Sequence, residues 1–109
     1  MCVWIFLVCA TVIAFADPSF AAEDRTQTFP PAKVQAGADI FERNCSPCHG
    51  PRMRDPESAF DLRTFPHDAH DRFVNSVTHG KNQMPPWGDL LKTDDIEALW
   101  AYVVTGDPN

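Results

Sequence analysis

Five consecutive residues, Cys45-Ser46-Pro47-Cys48-His49, carry the densest chemistry in the chain. Thiols at i and i+3 and an imidazole at i+4 fall on one side of a single helical turn. There the two sulfurs can form thioethers with vinyl groups on one edge of a flat macrocycle, and the imidazole sits beneath its metal. This is why C-x-x-C-H is the attachment pattern of covalent haem. Three other uses of these residues fit less well. A redox-active C-x-x-C follows a strand and opens a helix, whereas this one closes a helical pattern. A zinc site would have to recruit His67 and His70 or His79, which do not form the usual second ligand pair. A disulfide between Cys45 and Cys48 would close a tiny loop and stabilise little.

A haem iron held by His49 has a second axial position, for which Met53, Met84, His67, His70 and His79 are the candidates. Met53 is too near: the span from His49 reaches about 14 Å at full extension, too short to round the ring and return over the iron. It is expected on the surface or in a loop. Met84 precedes Pro85 and Pro86, which stiffen its loop and hold the thioether at low entropic cost. It lies in a polar Lys-Asn-Gln stretch with little local core to fill, so ligation is the better reading. His67 and His70 stand beside Asp68 and Asp71 and read as solvated, ion-paired groups. His79 precedes a glycine and is expected to interact with a helix C-terminus. Ligation by one of these histidines is the chief rival to Met84. A closed six-coordinate iron passes electrons, while an open one activates small molecules. A small haem enzyme, peroxidase-like, would need Arg52, Arg54 or His70 to line an open distal site.

The elements that must position these groups are helical. From Lys33 to Asn44, Val34, Ala38, Phe41 and Cys45 recur at three- and four-residue spacing, with Gly37 on the inner side. A loop with a short turn around Ser58 to Leu62 follows the motif. Asp68 is read as the cap of a middle helix running to about Thr78, with Phe73, Val74 and Val77 inward and Gly80 at its end. Lys81 to Leu91 is a loop. The last helix takes Thr93 as cap, Asp94 and Asp95 in its first turn, and Ile96, Leu99, Trp100 and Val103 as its apolar stripe.

With 109 residues, the chain has room for one small core, and ten prolines without a period-two apolar pattern argue against sheet folds. The expectation is an all-α domain over 33–109, completed by a bulky cofactor in a chain this short. Nine Lys/Arg against fifteen Asp/Glu give a net charge of −6, which repels phosphate and suits a basic protein partner. The apolar run Cys2 to Ala16 is too short for a membrane span and reads as an export signal over 1–21, with cleavage after Ala16 as the alternative. No basic residue precedes it, so the start codon is expected further upstream. A retained leader would make the chain membrane-attached. Residues 22–32 read as a flexible arm.

From about Val34 to Gly106 the chain resembles the class I, monohaem cytochromes c. Gly37 and Phe41 resemble that family's N-terminal helix, and Leu99 and Tyr102 its C-terminal helix. Cys45, Cys48 and His49 match its attachment motif, and Met84-Pro85 matches its distal methionine and following proline. The resemblance implies three to four helices around one haem c, bound through Cys45, Cys48, His49 and Met84, with His49 and Met84 on the iron. It implies a monomeric, exported single-electron carrier rather than an enzyme. Two departures stand out. Phe60 precedes Asp61-Leu62 where the family usually has a proline whose carbonyl accepts the proximal imidazole N–H, although a carbonyl serves from any residue. Trp87 is bulkier than the family pattern and is expected to cover the haem. More narrowly, Asp61 to Phe73 with Met84 to Asp89 is similar to small periplasmic cytochromes that serve quinoprotein alcohol dehydrogenases. That likeness implies a periplasmic dehydrogenase as donor, and a cytochrome oxidase or another cytochrome as acceptor.

Overall fold

The computed structural model describes residues 27–109, so the leader expected over 1–21 lies outside the described residues. Those residues fold into α1 (Pro31–Asn44), α2 (Ser46–His49), α3 (His70–His79) and α4 (Thr93–Thr105). Two 3-10 turns, Pro51–Met53 and Leu62–Thr64, complete the regular structure, and no strand occurs among the described residues. The all-α expectation holds.

α1 starts at Pro31, two residues earlier than its apolar period suggests. A proline in the first turn lacks only an N–H that would have had no helical partner, and the Pro30 carbonyl accepts from Lys33 and Val34 at 2.9 and 3.2 Å. Upstream, Trp100 Nε1 donates to Gln27 Oε1 at 2.9 Å, and Phe29 packs against the core. The indole of Trp100 is 2% exposed, so Gln27 satisfies a donor that would otherwise be buried without a partner. The described part of the arm is therefore fastened to the domain.

α1 packs chiefly on α4. At their crossing a Cβ on Gly37 would stand 1.9 Å from the Ala98 carbonyl oxygen, so only glycine permits this approach. Phe41 and Tyr102 meet beside it with ring centroids 5.3 Å apart. α4 is buried more completely than a single stripe, adding Ala98, Ala101 and Tyr102 to the four expected positions, because α1 and α3 both pack on it. It begins one residue off the expected cap. Lys92 is the cap and Thr93 the first helical residue, because Asp95 reaches back to accept the Lys92 N–H at 2.9 Å.

α3, by contrast, starts later than expected. Pro66 to Ala69 form a turn closed by the Ala69 N–H on the Pro66 carbonyl, so Asp68 caps nothing and the helix opens at His70. The His70 Nε2 sits 2.9 Å from Glu97 Oε1, its ring lies edge-on to Trp100 at 5.3 Å, and its Nδ1 is 3.5 Å from Asp71. That imidazole ties the start of α3 to α4.

Candidate functional site

The C-x-x-C-H motif does not end α1 but forms a turn of its own. Pro47 has no N–H to offer the Arg43 carbonyl and its ring would crowd that oxygen, so the helix breaks at Cys45 and restarts. The Cys45 carbonyl then accepts from Cys48 and His49 at 3.2 and 2.9 Å. Gly50, at φ +79°, ends the turn, and a Cβ there would meet the Arg54 carbonyl oxygen at 1.6 Å. Both cysteines are free thiols, Cys45 half-buried and Cys48 exposed. Burial, with the neighbouring Cys48 adding to it, pushes the Cys45 thiol up to about 11.

His49 is held by the loop after the motif. Its Nδ1 lies 3.1 Å from the Phe60 carbonyl oxygen. A carbonyl only accepts, so Nδ1 carries the proton and Nε2 keeps its lone pair. Phe60 thus supplies the bond expected from proline in the resembled family.

Met84 sits in a loop that caps α3. The last carbonyls of a helix lack internal partners. Here the Trp87 N–H donates to Val77 at 2.9 Å and the Gly88 N–H to Thr78 at 3.1 Å. Lys81 and Met84 exchange backbone bonds of 3.1 and 2.9 Å around a turn in which Asn82 takes φ +54°. Glycines make the fit possible. A Cβ on Gly80 would come within 2.5 Å of the Met84 carbonyl oxygen, and one on Gly88 within 2.8 Å of Thr78 Cγ2.

Between α2, α3, α4 and this loop lies a cavity of about 840 Å³. Cofactor sites fall in the range of about 300–1,000 Å³. Cys45, Cys48, His49 and Met84 all line it, and Trp87 lies on its wall. Phe41, Phe65, Phe73, Val77 and Leu99 supply apolar surface. The other candidates are elsewhere. His67, His70 and His79 do not line the cavity, and the His79 Nδ1 lies 3.2 Å from the Asn75 carbonyl within its own helix. Arg52 pairs with Asp107 at 3.3 Å, and neither it nor Arg54 reaches the cavity.

Met53 requires a correction: it is 2% exposed and part of the core, not a surface residue. Arg52 and Met53 take positive φ of 56° and 60°, which reverses the chain after Gly50 and packs this turn against α1. Among the described residues no group of three His, Cys, Asp or Glu side chains converges on a metal position, which leaves the zinc reading without a site. Sequence reasoning passed over Arg72, which also lines the cavity, because it reads as one more charge on an exposed helix face.

An apolar slot with two free thiols, an imidazole whose Nε2 lone pair is available, and a thioether on the facing loop fits a covalently attached iron macrocycle. Fold and site together define a c-type cytochrome. The family model for cytochrome c oxidase, cbb3-type, subunit III matches residues 32–103. The cytochrome c6 of Nostoc sp. is 31% identical over 96 residues, 84% of this chain and 78% of that protein. The cytochrome c6 of Limnospira maxima is 38% identical over 80 residues, 65% of this chain and 90% of that protein. The FixP subunit of a cbb3-type oxidase from Sinorhizobium medicae is 28% identical over 87 residues, 66% of this chain but 29% of its own length. Among solved structures, cytochrome c6 from the diatom Phaeodactylum tricornutum superposes with a TM-score of 0.52 at 32% identity, covering 66% of this chain and 91% of that one. The chain belongs to the class I, monohaem c-type cytochromes. It is a small electron carrier with one covalently bound haem c, not an enzyme.

Proposed function

We propose that this cytochrome carries single electrons in the periplasm, from a dehydrogenase of the quinoprotein alcohol dehydrogenase kind toward a terminal oxidase or another cytochrome. Its haem supplies a one-electron Fe(II)/Fe(III) couple. Cys45 and Cys48 would hold the ring through thioethers, the S–H of each adding across a vinyl group. His49 would bind the iron through Nε2, which the Nδ1 bond to the Phe60 carbonyl leaves unprotonated and oriented. Met84 would supply the second iron ligand, and the bonds of its loop to the end of α3 hold the residue in place. The apolar side chains of Phe41, Phe65, Phe73, Val77 and Leu99 would shield part of the ring from water and so limit the solvent rearrangement that accompanies each change of charge.

One observation carries this reading: of the five candidate sixth ligands, the cavity that holds His49 takes in Met84 and none of the rest. The likeness to a cbb3-type oxidase subunit supports an oxidase as acceptor, and the donor rests on the resemblance of Asp61 to Phe73 and Met84 to Asp89 to cytochromes that serve such dehydrogenases. Export of the chain, with removal of 1–21, belongs to the same proposal. Among the described residues no helix is long and apolar enough to cross a membrane.

The test is stopped-flow reduction of the ferric protein by a purified quinoprotein alcohol dehydrogenase across a salt series. Rapid single-electron reduction is expected, slowing as salt screens the attraction of a net acidic protein to a basic patch on the donor. A donor that leaves the haem oxidised overturns the assignment of partner. A ferric spectrum that is high-spin and shifts with cyanide overturns the closed His/Met site.

A further inference from the structure

Thioethers and axial ligands account for the vinyl groups and the iron, but haem c also carries two carboxylates. An ionised carboxylate beside an apolar wall is costly unless a cation or strong donors meet it. The charged side chains lining the cavity, apart from the motif, are Glu57, Arg72 and Lys81. Glu57 repels an anion. Lys81 is an exposed point charge on the Met84 turn.

Arg72 differs from both. Its guanidinium carbon stands 4.5 Å from the centroid of the Phe65 ring. Phe65 is itself 8% exposed and set edge-on against Phe60, Phe73 and Trp100. Stacking on so well-held a ring restricts the guanidinium while leaving its N–H groups available. Among the described residues no carboxylate forms an ion pair with it. The wall it comes from is also suitable. α2, which carries the motif, packs on α1, whereas α3 packs on α4, so Arg72 and the cysteines reach the cavity from different elements. In haem the pyrroles that bear vinyl groups and those that bear carboxylates occupy opposite halves of the ring.

The geometry points to Arg72 as the side chain that holds a carboxylate of the covalent cofactor, a role that rests on the haem attachment proposed above. The planar fork of arginine matches the two carboxylate oxygens, which a lysine cannot reproduce.

Arg72→Gln tests this, with Arg43→Gln as comparison because Arg43 is exposed on α1 outside the cavity. The expected result is covalent haem by mass in both variants. In R72Q alone, the haem carboxylate stretch moves in the redox-difference infrared spectrum and the midpoint potential falls, since a cation that favours the reduced ring has gone. A haem-loaded R72Q with an unmoved carboxylate band overturns the role, even if its potential changes, because charge alone would then account for the shift. Wild-type protein without haem mass would overturn the underlying attachment instead, so the two failures are distinct. If R72Q fails to retain haem, R72K carries the test. It keeps the charge and loses the fork, and an unmoved band in R72K overturns the role.

Discussion

The proton on His49 Nδ1 decides what the imidazole can do, and a backbone oxygen 3.1 Å away decides where that proton sits. Met84 is positioned by comparable means, through backbone bonds around its turn, while its side chain packs against the core. Replacing Met84 by Ala is therefore expected to leave the haem attached and the fold intact while abolishing the ferric iron–sulfur charge-transfer band. Mass and near-infrared absorption measured on one sample check both halves, and a band that survives in M84A removes Met84 from the iron. Tyr102, the chain's one tyrosine, offers a different readout. It is 1% exposed, and burial first, then the Asp107 and Glu42 carboxylates, push its phenol up to about 12. The fold thus favours the neutral phenol. Its contribution, roughly 3 kcal/mol, is fully present below the ordinary phenol value near 10 and is lost as pH rises from there to about 12. Ultraviolet titration of the folded protein should show phenolate forming about two units later than in the denatured chain, and coincident titrations would contradict this packing.

The loop from Gly80 to Gly88 is the element on which the site depends most. It ends α3 and delivers Met84, so any change that separates loop from helix moves the proposed ligand. A Cβ at Gly88 would come within 2.8 Å of Thr78 Cγ2 and 2.9 Å of the Thr78 carbonyl oxygen, which is the acceptor of the Gly88 N–H. Gly88→Ala is expected to cost about 1–3 kcal/mol of stability, in the range of overpacked substitutions, and to weaken the iron–sulfur band without removing the haem. Denaturant unfolding and the near-infrared spectrum measure the two effects, and an unchanged band would show that the clamp does not position the ligand. Much of this element was legible in advance: the prolines, the glycines and Met84 in a polar stretch all announced a stiff loop with a task. The start of α3 was not, because a backbone turn from Pro66 to Ala69 overrode the capping tendency of Asp68. Met53 was hidden for a related reason. Its burial follows from two left-handed residues after Gly50, and backbone reversal of that kind leaves no apolar period to read. The Cys45, Cys48 and His49 group was plain from spacing alone, whereas Arg72 needed the fold to bring α3 to the same cavity.

At the scale of the whole molecule, the haem would complete the interior as well as serve as the redox group. Phe41, Phe73, Val77, Leu99 and Val103 belong to the core and also face the cavity, so the surface that holds the cofactor is the surface that holds the helices together. At about 840 Å³ the space lies in the upper part of the range of cofactor sites and is larger than side-chain relaxation closes. A Cys45→Ser/Cys48→Ser chain prepared without haem is accordingly expected to keep some helix by far-ultraviolet circular dichroism, lose its near-ultraviolet signal and unfold without a cooperative transition. α1 and α4 supply what remains, since their crossing at Gly37 does not involve the cavity. A sharp transition at the wild-type midpoint would show that the helices hold one another without the cofactor, and the case for the haem as interior would then fail, whatever its redox role.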